Sequence, residues 1–136
     1  MKEITVNADR SHLEEVQHFV EIELEKIACP MKICMQIALA IEEIFVNIAD
    51  YAYHPNTGTV TIRSTIQKSV PAIMIQFLDQ GKPYNPLERI DADITLNAEE
   101  RAIGGLGILL VKKTMDNVKY EYKDGKNILT IQKNLK

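Results

Sequence analysis

Three places in the chain carry residue types whose spacing can do chemistry: Glu43 and Asn47, one helical turn apart; Asp79, which ends an apolar run and is followed by Gln80 and Gly81; and the cluster Gly104, Gly105 and Gly107. The first pair reads either as a polar row facing a pocket or as boundary residues of an ordinary helix joined by an i,i+4 contact. Asp79 reads either as a turn aspartate or as a carboxylate at the end of a buried strand, able to accept a hydrogen bond from a ligand's amino group. The glycines stand at a predicted helix start. Unpaired N–H groups and the helix dipole favour an anion such as phosphate there, and a hinge without ligand is the other reading. No Gly-Lys-Ser/Thr is present, and the third glycine and preceding strand of a dinucleotide fingerprint are missing, so neither common phosphate loop fits.

Other chemistries find less support. His12, His18 and His54 are scattered, and the first two are six apart, so they share no helix face for a metal. Ser11, Ser64 and Ser69 lack the context of a hydrolase nucleophile. Cys29 and Cys34 lack Cys-x-x-Cys spacing and read as reduced thiols. Lys112 and Lys113 suit the negative end of the dipole of the helix that the glycines open.

The elements that must position the three places follow from periodicity. Ile4 and Val6 mark a first strand over 3 to 7. Asp9 and Ser11 are possible N-caps for a helix carrying Leu13, Val16, Val20, Leu24 and Ile27, with Ser11 and Glu14 in capping-box spacing. Cys29-Pro30 stops it, and a second helix runs from Met31 to about Tyr53. At about 100° per residue from Ile44, the residues Ile33, Ile37, Ala40, Ile41 and Ile48 fall within about 60°. Asn47 lies near -60°, Glu43 near -100° and Asp50 near -120°, while Glu42 points away near 160°. Glu43, Asn47 and Asp50 thus line one flank of the buried stripe.

Val60, Ile62 and Ile66 alternate with polar residues, and Ile73 to Leu78 is dense enough for an interior strand; the two are expected to pair as a hairpin. Residues 80 to 103 are expected to form a functional loop or lid. A third helix runs from Gly104 to about Met115. Val118 to Lys123 and Lys126 to Lys133 flank Asp124-Gly125, a pair suited to a two-residue hairpin turn. The order predicts an α+β fold: a two-layer sandwich of a mixed, largely antiparallel sheet with helices on one face.

At 136 residues, with 46% hydrophobic content, the chain suits one domain over 1–136. Its formal charge of -3 shows no long run of one sign, which leaves no electrostatic footprint for nucleic acid. Apolar stretches are broken within ten residues and no signal-peptide core is visible, so a cytoplasmic protein without a membrane span is expected.

Taken in order, Glu-x-x-x-Asn on a helix, Asp-x-Gly after an apolar strand, a lid, and Gly-Gly-Leu-Gly opening a helix resemble the GHKL ATP-binding superfamily with its Bergerat, or histidine kinase-like, fold. Within it, residues 41–53, 78–87 and 104–113 look like the bacterial anti-sigma factor serine kinases of the RsbW type. The resemblance implies ATP and Mg2+. Asn47 matches the metal-ligating asparagine, Glu43 the general base, and Asp79 the carboxylate that receives the adenine amino group. It also places Gly81 beside the base, Gly104, Gly105 and Gly107 near the phosphates, and Thr130 as a support of the adenine through water. Two residues depart from the pattern: Tyr51 stands where a histidine is common, and Pro83 replaces the second glycine of Asp-x-Gly-x-Gly. The implied activity is phosphorylation of a serine or threonine on an anti-sigma-factor antagonist of STAS type, with a sigma factor as second partner and a homodimer as assembly. The alternative is a non-catalytic module in which ATP only shapes a partner surface.

Overall fold

The computed structural model describes residues 1–87 and 105–135. The centre of its sheet is made by β2 (Thr59–Gln67) and β3 (Ala72–Asp79), the predicted hairpin, in which Ile62 faces Phe77 and Ser64 faces Ile75. On one side β1 (Lys2–Asn7) pairs with β2; on the other, β5 (Lys126–Asn134) pairs with β3 and carries β4 (Asn117–Lys123) on its outer edge. The strand order is β1-β2-β3-β5-β4. Every described pairing is antiparallel, so the sheet is not mixed as the sequence suggested. Asp124 and Gly125 turn the last hairpin with φ of 54° and 75°, the left-handed pair that matches the twist of two-residue connections.

Alternation sorts the two faces. Val60, Ile62, Ile73, Ile75, Phe77, Leu129 and Ile131 are buried beneath the helices. The opposite face carries Thr5, Thr61, Gln76, Thr130 and Gln132 among others, with the Thr5 and Thr61 hydroxyls 2.9 Å apart. The helical layer comprises α1 (Leu13–Glu25), α2 (Met31–Tyr51) and α3 (Gly105–Thr114), and α2 packs against both of the others. From α2, Ile37, Ala40, Ile41, Ile44, Phe45 and Ile48 enter the core, while Glu42 is exposed.

The start of α1 differs from expectation. The Asp9 carboxylate accepts from Ser11 N at 2.9 Å and caps a 3-10 turn over Arg10–His12, so the α-helix begins only at Leu13 and Ser11 is not its cap. A short acidic side chain that bonds two residues ahead favours such a turn over a helical one. The capping-box spacing of Ser11 and Glu14 is therefore unused. The expected lid lies largely outside the described residues, as does Gly104. Among the described residues no helix is long and apolar enough to cross a membrane.

Candidate nucleotide site

The C-terminal half of α2, the end of β3 and the start of β5 enclose a cavity of about 280 Å³, many times the room one water needs. Its floor is apolar, from Ile44, Ile48, Ala52 and Leu129, and its polar lining includes Asn47, Asp79 and Asn127. Tyr51, Lys82, Pro83, Tyr84, Pro86 and Tyr120 frame it. Both residues that depart from the resembled pattern, Tyr51 and Pro83, are thus at the cavity.

Asp79 occupies the last position of an interior strand, 6% exposed. Its Oδ1 accepts from Gly81 N and from Asn127 Nδ2, each at 2.9 Å. Burial pushes the carboxyl above its ordinary value, and these two hydrogen bonds oppose the rise by favouring the ionised form. Gly81 is the residue at which the chain passes the end of α2: an added Cβ would overlap the Ala52 carbonyl, which accepts from Lys82 N at 3.1 Å. Tyr53 secures the same crossing. Its hydroxyl accepts from Gln80 N at 2.7 Å and donates to the Thr59 carbonyl.

On the flank of α2, Glu43 and Asn47 are half-buried, and neither side chain makes a hydrogen bond to the described residues. The i,i+4 contact that would have tied them to each other is not made. Asp50, on the same flank, is turned to another task and takes both Nε and Nη2 of Arg10 from the 3-10 turn. The Glu43 carboxylate lies against Gly107 of α3, where a Cβ would overlap it. Glu43 is therefore next to the glycine-bearing helix, whereas Asn47, one turn later on α2, lines the cavity itself.

The structure brings Asn47 and Asp79 to one cavity; Gly81 donates its N–H to Asp79 but does not line that cavity, and Glu43 and Gly107 meet each other outside its lining. Gly105 is the first residue of α3, and Gly104 is outside the described residues. Thr130 is not brought there. Asn127, Leu129 and Ile131 face the helices, so Thr130, of the other parity, faces the opposite side of the sheet, where it lines a separate hollow with Met74, Gln76 and Lys119 and meets Gln76 Nε2 at 3.4 Å. The polar residue of β5 that lines the cavity, alongside Leu129, is Asn127, which the sequence reading passed over. A polar residue at a buried parity just after Asp124-Gly125 is the signal that points to it.

Among the described residues no three His, Cys, Asp or Glu side chains converge as ligands for a metal ion. Asn47, whose amide has no partner among the described residues, offers one neutral oxygen. That fits a hard ion such as Mg2+, which keeps several waters and takes further ligands from phosphates.

An antiparallel sheet covered by helices on one face, with an acidic strand end and a polar helix flank across a shared cavity, defines the class of fold. The family model described as Histidine kinase-like ATPase domain matches residues 6–133, and the chain belongs to that family. It is similar to the serine/threonine-protein kinase BtrW of Bordetella bronchiseptica, 24% identical over 95 residues, which are 70% of this chain and 66% of that protein. It is also similar to the anti-sigma F factors of Caldanaerobacter subterraneus subsp. tengcongensis, 28% identical over 93 residues, 68% of this chain and 64% of that protein, and of Clostridium acetobutylicum, 25% over 97 residues, 71% and 66%. The match spans just under two thirds of the length of these relatives. The histidine kinase domain of the blue-light activated kinase EL346 from Erythrobacter litoralis superposes with a TM-score of 0.57 at 20% identity, over 78% of this chain and 46% of that one, and shares the fold.

Proposed function

We propose that residues 1–136 act as one ATP-binding unit that transfers phosphate to a serine or threonine of an anti-sigma-factor antagonist and, in its other state, holds a sigma factor. The observation that carries this reading is that Asp79 and Asn47 line one cavity, with Glu43 one helical turn before Asn47 and making no hydrogen bond to the described residues. Asp79 accepts the exocyclic amine of adenine, and a guanine, with a carbonyl there, is refused. Asn47 holds Mg2+, which neutralises charge on the phosphates when bound. Glu43 accepts the proton of the attacking hydroxyl. Gly107 leaves the space in which that carboxylate sits, and the N-terminal amides of α3 favour the negative phosphates. Relatives named as a serine/threonine-protein kinase and as anti-sigma F factors support the activity and a sigma factor as partner.

The test uses purified protein with Mg-ATP and a STAS-type antagonist. Phosphate transfer is expected, and Glu43→Ala should lower it by about 100-fold or more while Mg-ATP still binds in calorimetry. Parental activity in Glu43→Ala removes Glu43 from this role. Partner binding with ADP and with a non-hydrolysable analogue alike, and no transfer with any antagonist, favours instead the module in which nucleotide only shapes a surface.

A further inference from the structure

Asn127 is buried, 6% exposed, and both ends of its amide are engaged. Nδ2 donates to Asp79 Oδ1 and to the Lys82 carbonyl, each at 2.9 Å, with the Gly81 carbonyl at 3.3 Å. Oδ1 accepts from Tyr84 N at 3.1 Å and from the Tyr120 hydroxyl. Two carbonyls and a carboxylate cannot donate, and a backbone N–H cannot accept, so the amide has one orientation and no useful flip. It joins the end of β3, the turn through Gly81 and Lys82, and the strand opposite Asp79, its Cα partner across the ladder.

The effect on Asp79 is specific. Both hydrogen bonds described for that carboxylate end at Oδ1, from Gly81 N and Asn127 Nδ2, which leaves Oδ2 for a donor arriving in the cavity. A carboxylate held by two donors at one oxygen is fixed in rotation as well as in position. We infer that Asn127 is the positioning residue of the base site, turning Asp79 so that a ring bearing an exocyclic amine is preferred over the same ring without one. The inference rests on the ATP reading above and adds to it the residue that sets base choice. Without Asn127 the carboxylate loses one of its two anchors, and the Gly81–Lys82 turn loses the donor that bridges its carbonyls.

The experiment compares, by calorimetry with Mg2+, binding of ATP and of purine riboside triphosphate, which lacks the 6-amino group, to the parent, Asn127→Ser and Tyr120→Phe. The parent should prefer ATP by about tenfold or more, the scale of a hydrogen bond to a charged group. In Asn127→Ser that preference should shrink to about threefold or less, mostly by loss of ATP affinity, with the analogue little changed. Tyr120→Phe keeps the amide but removes one of its anchors and should reduce the preference by a smaller factor. An unchanged preference, with both nucleotides weakened together, makes Asn127 a merely structural residue and overturns the inference. If Asn127→Ser is unfolded by circular dichroism, Tyr120→Phe decides on the same ratio: a preference equal to the parent's overturns it. A folded parent that binds neither nucleotide overturns the ATP reading itself, and the two failures are thereby told apart.

Discussion

The Glu43 carboxylate fills the space in which a side chain at residue 107 would begin, so α2 and α3 meet at a point where one contributes an acid and the other nothing beyond backbone. The contact separates activity from stability. In Gly107→Ala the obstructing atoms belong to the far end of a flexible side chain, which can swing aside at small cost, and alanine favours a helix by about 1 kcal/mol over glycine. The variant should melt within a few degrees of the parent or above it, on the order of the shift that 1 kcal/mol produces, while phosphate transfer falls by about 100-fold. Calorimetric melting and a transfer assay on one preparation check both halves, and transfer at the parental rate would falsify the positional role of Glu43.

Replacing Asp79 by asparagine removes the charge but keeps the shape. The new amide brings an NH2 toward Gly81 N and Asn127 Nδ2, both donors, so it must either turn its oxygen to them or leave them unmatched. ATP affinity should fall by about 10- to 100-fold, the range for loss of a hydrogen bond to an ionised group. Titration calorimetry reads this directly. Affinity equal to the parent's would remove Asp79 from base recognition.

Acid should act on Asp79 and Asp50 in opposite directions. Burial raises the Asp79 carboxyl, so the folded chain keeps its proton to higher pH than the unfolded chain, and this group's contribution to stability is lost as pH rises from about 3.8 through the raised value. The Arg10 hydrogen bonds lower Asp50, so its contribution is present above 3.8 and is lost as pH falls through the lowered value. Urea unfolding at a series of acidic pH values should show the Asp79 part vanish in Asp79→Asn. ATP binding should strengthen over the window in which Asp79 ionises. A pH profile of stability that is the same in parent and variant contradicts the assignment.

Ala28, between α1 and α2, has φ of 51°, a left-handed conformation that alanine adopts at a cost. Ala28→Gly should stabilise the fold by about 1 kcal/mol, read from the urea midpoint, because glycine pays little for that backbone. Nucleotide affinity should be unchanged, since residue 28 does not line the cavity. A lower midpoint would count against strain at this position.

How much of this was legible in the sequence depends on the range of the interaction. Asn47 and Glu43 could be placed because rotation along one helix is local, and Asp79 because it ends an apolar run. The helical stripe nevertheless omitted Phe45, which is fully buried, because α2 has a helix on each side and buries a wider arc than a helix lying on a sheet alone. Asn127 depends on a partner 48 positions away, and only the strand register reveals it. Thr130 shows the same limit in reverse: parity on β5 sends it to the other face, and a one-residue difference decides the side. The family motifs held the order of the site, while its support came from pairings that no single segment announces.

β3 is bonded along both edges, to β2 and to β5, and Asp79 is its final residue. Amides in such a doubly laddered strand are among the last to exchange with deuterated solvent, since their release requires opening of the whole unit. The end of the cavity proposed to receive the base is therefore anchored in backbone expected to exchange slowly, and substitutions that loosen this ladder should degrade nucleotide discrimination together with resistance to proteolysis.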